Sequence, residues 1–151
     1  MRVGEVVKLR PQDIDSKRKL IHIKGSKGRK DGYTLLSDYA LKVLKEYLRE
    51  YKPSKWLFEC ARKGGHISTR TVQAIFRQAC DKAGIKKYVT VHSLRHSFAT
   101  HLLESGVDLR YIQELLGRKS SKTTEIYTHV SRASIVNIKN PLYSIMKEEI
   151  T

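Results

Sequence analysis

The sequence predicts a mainly α chain with a small antiparallel β-sheet near its N-terminus, an α+β architecture in one domain. Apolar residues recur at helical spacing from about residue 38 onward. Two short β-like runs flank a basic, Gly-rich segment near the start. At 151 residues and 40% hydrophobic content, the chain is long enough to bury one real core.

Residues 2–9 read as a helix with Val3, Val6 and Val7 on one face, stopped by Pro11. Residues 20–24 and 33–36 are the β-like runs. Between them Gly-Ser-Lys-Gly-Arg-Lys-Asp-Gly predicts a hairpin whose tip carries Lys27, Arg29 and Lys30. Ser37 or Asp38 caps a helix with Leu41, Leu44, Leu48 and Tyr51 as its buried stripe, ended by Pro53. After a loop with Gly64 and Gly65, Ser68 or Thr69 caps a second helix. Its stripe is Val72, Ile75, Phe76, Ala79, Cys80 and Ala83, with Gly84 past its end and Cys80 in the core.

A third helix spans about residues 92–105, with Leu94, Phe98 and Leu102 in register and Gly106 as terminator. A fourth covers residues 109–116, capped by Asp108, with Ile112 and Leu115 as apolar contacts and Gly117 following. Ser120 or Ser121 opens a short helix reaching Tyr127. In the tail, residues 131–151, Asn140-Pro141 is a break, and Leu142, Ile145 and Met146 then form a small amphipathic helix.

Thirty Lys and Arg face fifteen Asp and Glu, a formal charge of +15, and self-repulsion of that size implies a polyanionic partner. Nucleic acid fits first. An anionic membrane surface is the other source of such charge, but no apolar run approaches the ~18 residues of a spanning helix, and no signal-peptide pattern opens the chain. A soluble, cytoplasmic protein is expected. Cys60 and Cys80 lack C-x-x-C spacing and read as ordinary thiols. His92 and His96 have the i, i+4 spacing of a metal pair, but the Glu of H-E-x-x-H is absent and Arg95 lies between them, so no metal is expected.

The chemistry-bearing segments combine phosphate-binding and reactive groups. In His92-Ser-Leu-Arg95-His96, residues i and i+3 share a helix face, so His92 and Arg95 can address one ligand while Leu94 turns into the core. A guanidinium donates two parallel bonds to phosphate, and an imidazole exchanges protons near neutrality. Taken alone, the pentapeptide fits phosphoryl transfer and the plain surface of a DNA-binding helix equally well. In Thr123-Thr-Glu-Ile-Tyr127-Thr-His129 a tyrosine follows a basic, hydroxyl-rich turn; most tyrosines only pack, and a phenol with a pKa near 10 needs a base or positive charge to attack. Lys24, at the end of the first strand, can protonate a leaving oxygen, although charged hairpins are usually just solvated.

Together and in this order the segments resemble the catalytic domain of the tyrosine recombinase, or phage integrase, family, over residues 2–130. Met1-Arg2-Val-Gly-Glu5 is similar to the family's G-L-R-x-S-E and implies a catalytic Arg2. Ile23-Lys24-Gly-Ser-Lys27-Gly-Arg29 resembles G-K-G-x-K-x-R and implies a catalytic Lys24. His92 to His96 keeps H-x-L-R-H, implying His92 and Arg95, and Leu116-Gly-Arg118 through Tyr127 resembles L-G-H-x-x-x-x-T-x-x-Y, with Tyr127 as nucleophile.

The resemblance implies double-stranded DNA as substrate, a 3′-phosphotyrosyl intermediate with a free 5′-hydroxyl, and a homo-tetramer assembled on DNA. It implies no cofactor, because Arg2 and Arg95 stabilise the phosphorane without Mg²⁺. Lys27, Arg29, Lys30, His96, Lys119 and Lys122 are the expected DNA contacts. A non-catalytic DNA-binding protein and a type IB topoisomerase remain as alternatives.

There are two departures. Arg118 stands where the family usually has a histidine or tryptophan; it can donate a hydrogen bond but cannot shuttle a proton. The family's upstream core-binding domain has no counterpart, so the chain reads as N-terminally truncated, with residues 1–130 as catalytic core and 131–151 as a tail whose short helix docks on a neighbouring subunit or, as the alternative, folds onto its own domain.

Overall fold

A computed structural model describes residues 1–25, 31–116, 140–142 and 145–146. In chain order the elements are α1 (Val3–Val6), a 3-10 turn (Pro11–Asp13), β1 (Ile14–Asp15), β2 (Leu20–Ile23), β3 (Gly32–Leu35), α2 (Asp38–Tyr51), α3 (Thr69–Lys82), α4 (Val91–Glu104) and α5 (Leu109–Leu116). The predicted class is the observed one: mainly helix, with one small antiparallel sheet.

The sheet decides where the cores lie. Successive strand residues face opposite sides, and β2 pairs Leu20 with Leu35 and Ile21 with Thr34. Leu20 joins Leu102, Ile112, Leu115 and Leu116 of α4 and α5 in one cluster. Ile21 joins Leu9, Leu36, Leu41 and Leu57 in another. The sheet therefore separates an α4–α5 layer from an α2 layer. Strand β1, which pairs Ile14 with Ile21, was not expected; its two residues are too few to show an alternating pattern in the sequence.

The first helix is shorter than the expected 2–9. After Val6 the Lys8 and Leu9 amides bond back three residues, to Glu5 and Val6, and the tightened chain buries Val7 and Leu9. For α2 the cap is Ser37, whose hydroxyl accepts from the Ala40 amide at 3.1 Å, and Lys52 ends the helix at a φ of 44° before Pro53. Tyr51 is not in the buried stripe; it is 65% exposed. Ten residues at 100° each place it ~80° off the line of Leu41.

Helix α3 is capped by Ser68, whose hydroxyl accepts from Thr71. It turns Val72 and Phe76 partly inward and buries Cys80, while Ile75, Ala79 and Ala83 are exposed. Among the described residues α3 packs most closely on α1 and α4, and the inward stripe there is narrower than predicted. Gly84, at a φ of 70°, closes the helix as the Ile85 amide bonds back to the Cys80 carbonyl.

Helix α4 buries Leu102 fully and Phe98 partly, but Leu94 is 57% exposed rather than in the core. The helix is rotated so that Arg95, Ala99 and Leu102 face α5. Asp108 caps α5, its carboxylate accepting from the Arg110 amide at 2.8 Å. In the tail, residues 141–142 and 145–146 are helical; Leu142 and Met146 are half-buried and Ile145 is 39% exposed.

Leu102 meets both β2 and α5, so shortening it opens a void that neither can fill by collapse. Leu102→Ala is expected to lower the unfolding free energy by about 2–5 kcal/mol, measured by urea denaturation.

Candidate active site

Arg95 is the structural centre of the site. It projects from the middle of α4, half-buried, and its Nη2 donates to the backbone carbonyl of Leu116, the last residue of α5. The final carbonyls of a helix have no partner within it and carry the negative end of the dipole, so a guanidinium is a fitting donor there. This bond explains the rotation of α4 that exposes Leu94. It also holds Arg95 at the end of α5, which Arg118 and Tyr127 follow in sequence.

Beside Arg95 lies a cleft of about 290 Å³ between α4 and α5, with His96, Thr100 and Gln113 contributing polar atoms and Leu103 and Leu109 apolar ones. His92 is exposed, one turn before Arg95, and its ring meets that of His96 edge-on, with centroids 4.8 Å apart and planes at 89°. His92, Arg95 and His96 thus occupy one stretch of α4, as the spacing predicts.

Arg2 precedes α1. Its amide donates to the Glu5 carboxylate at 2.6 Å, and its carbonyl accepts from Glu5 and Val6. The Met1 amino group is lowered to about 6, by burial first and then by the charges of Arg95 and Arg2, with Glu5 opposing. The segment bearing Arg2 is therefore within electrostatic reach of Arg95, although they are far apart in sequence.

Lys24 is exposed, one residue past β2. No described contact joins it to Arg95 or His92. Its base, however, is organised by residues the sequence reading missed. Asp31 accepts from the Gly25 amide at 2.8 Å and pairs with His22 Nε2 at 3.0 Å. The Gly25 bond, then the charge and hydrogen bond of His22, then Lys24, hold the Asp31 carboxyl below its usual range. The only signal for this in the sequence was the turn-forming Asp31-Gly32 pair. Lys27, Arg29, Lys30, Arg118, Lys119, Lys122 and Tyr127, together with the short helix expected to reach Tyr127, lie outside the described residues.

Among the described residues no group of three or more His, Cys, Asp or Glu side chains gathers as a metal site, and no helix is long and apolar enough to cross a membrane.

Residues 1–134 match the phage integrase family. The chain belongs to that family. It is 45% identical over 134 residues to the tyrosine recombinase XerA of Pyrococcus furiosus, covering 87% of this chain and 46% of that protein. A crystal structure of XerA recombinase superimposes with a TM-score of 0.73 at 34% identity, over 99% of this chain and 53% of that one. XerH recombinase, solved in a post-cleavage complex with its palindromic difH substrate, gives 0.67 at 33% identity, over 88% and 39%. This phage integrase family chain spans about half the length of the curated relatives it matches.

Proposed function

We propose that this chain is the catalytic portion of a tyrosine-type site-specific recombinase that breaks and rejoins double-stranded DNA. The observation that carries the reading is the anchoring of Arg95: a guanidinium, a group suited to phosphate, is tied to the end of α5, which the segment ending in Tyr127 follows in sequence. That a solved relative carries its DNA in a post-cleavage state supports DNA as the partner.

In this mechanism the Tyr127 oxygen attacks the scissile phosphorus in line, and the phenol proton passes to His92. A P–O bond to tyrosine forms as the P–O5′ bond breaks. The departing 5′-oxygen takes a proton from a hairpin lysine. Arg2 and Arg95 stabilise the charge on the phosphorane. One phosphoester replaces another, so a 5′-hydroxyl from a second strand reverses the reaction with no external energy source. On DNA the protein acts as a tetramer, with the C-terminal tail docked on a neighbour.

The family's G-K-G-x-K-x-R supports Lys24 as the acid. A second register also fits in part: set three residues later, the motif matches Lys27, Gly28 and Lys30, while its first and last positions fall on Ser26 and Gly32 in place of glycine and arginine. Lys27 is then the acid.

A nicked suicide substrate tests the function. Loss of the short downstream strand traps the intermediate, so a denaturant-resistant protein–DNA adduct is expected; DNA binding with no adduct at high protein concentration would leave a non-catalytic DNA-binding protein, the reading that Arg118 favours. Arg118→His is expected to raise the cleavage rate with little change in DNA affinity, since histidine restores a proton-carrying donor while both residues bind phosphate. An unchanged rate would remove Arg118 from the site.

With a formal charge of +15, binding is expected to release many counterions, so affinity should fall about 10³-fold or more between roughly 50 and 200 mM salt. Fluorescence anisotropy across a salt series measures the slope.

A further inference from the structure

We infer that Asp31 and His22 form a clamp across the base of the β2–β3 hairpin that positions its lysine for proton delivery to the leaving oxygen; the inference rests on the function proposed above. Asp31, just before β3, bonds two residues of the β2 side of the hairpin. Its Oδ1 accepts from the Gly25 amide at 2.8 Å, and its Oδ2 meets His22 Nε2 at 3.0 Å. Gly25 directly follows Lys24, so the bond fixes the peptide next to that lysine.

The clamp is anchored in the core. His22 Nδ1 lies 3.8 Å from Oδ1 of Asp13, a carboxylate only 4% exposed. The other Asp13 oxygen accepts from the Arg10 amide at 2.8 Å. The His22 ring lies 5.0 Å from that of Tyr33, its cross-strand partner, and Tyr33 packs against the Leu20 and Leu102 cluster. A chain of contacts thus runs from the 3-10 turn through His22 to Asp31 and the hairpin base. His22 lies on the strand face of Leu20, which is the face towards α4 and α5.

Such a network is more than a hairpin needs. Register is already set by the four pairs from Leu20–Leu35 to Ile23–Gly32. The clamp acts beyond the last of these pairs, on the peptide that follows Lys24. A shift of about 1 Å in a reacting group can cost ~10²-fold. Asp31 is a positioning residue, acting through the lysine rather than on DNA.

The test separates proton delivery from general damage. On a nicked substrate with an ordinary 5′-oxygen at the scissile bond, Asp31→Ala should slow adduct formation about tenfold, and removal of the lysine acid about 10²-fold or more. On the same substrate with sulfur replacing the bridging 5′-oxygen, the leaving thiolate needs no proton, so both variants should recover to the parent rate. Asp31→Asn keeps an oxygen for Gly25 and should stay within about threefold of the parent. Backbone amide exchange at Gly25, followed by NMR, should accelerate in Asp31→Ala and not in Asp31→Asn.

The clamp is overturned if Gly25 exchange is unchanged in Asp31→Ala, or if that variant's deficit persists with the sulfur substrate. The assignment of the acid fails separately: if neither Lys24→Ala nor Lys27→Ala is rescued by sulfur, no hairpin lysine is the acid. If the parent forms no adduct on either substrate, the function fails, and with it the clamp's role in proton delivery, whatever Gly25 exchange shows.

Discussion

Tyr127→Phe is expected to abolish the covalent adduct on a nicked substrate while leaving DNA affinity unchanged. The substitution removes one oxygen, the atom proposed to form the bond to phosphorus, and retains the aromatic ring. No neighbour can replace it. The other hydroxyls of this stretch, on Ser120, Ser121, Thr123, Thr124 and Thr128, are alcohols and far less acidic than a phenol. Affinity is set by phosphate contacts from the many Lys and Arg residues, which the substitution does not touch. Denaturing gel electrophoresis reads the adduct and anisotropy reads the affinity. An adduct that survives in Tyr127→Phe would move the nucleophile elsewhere.

Arg95→Ala is expected to lower cleavage about 10²–10³-fold, the cost of removing one preorganised donor from a developing negative charge. It should also destabilise the fold, which a pure surface arginine would not. The guanidinium donates to the Leu116 carbonyl, and a hydrogen bond from a charged donor is worth about 1.5–3 kcal/mol. Arg95→Lys separates the two roles. A lysine can reach a carbonyl with one donor but lacks the planar fork that holds phosphate in two places. Stability should therefore recover more than cleavage does, with urea denaturation and adduct formation as the paired measurements. Equal loss of both in Arg95→Lys would mean that Arg95 serves the fold alone.

Much of the fold could be read directly. The starts of α2, α3 and α5 follow from Ser37, Ser68 and Asp108 as caps, and the ends of α2 and α3 from Pro53 and Gly84, because capping is a contact within a few residues of chain. Faces were harder. Leu94 and Ile75 both lie on plausible apolar stripes, yet both are exposed, since spacing fixes an angle within one helix and not the side on which a neighbour packs. Strand β1 escaped for the same reason: two residues form a strand only because β2 lies beside them.

The site divides along the same line. His92, Arg95 and His96 share a stretch of α4 because they are four residues apart at most, so local periodicity was enough to group them. The family, too, was visible in short motifs whose order survives without coordinates. What only the tertiary structure decided is how these pieces are held. The Leu116 carbonyl that receives Arg95 lies 21 residues away, the Met1 amine that feels its charge is farther still, and Asp31 closes a hairpin by bonding Gly25 and His22. Each of these contacts depends on where a separate element comes to rest. Apolar burial on the two faces of the sheet sets that placement, and it is a property of the whole packed chain rather than of any window of sequence.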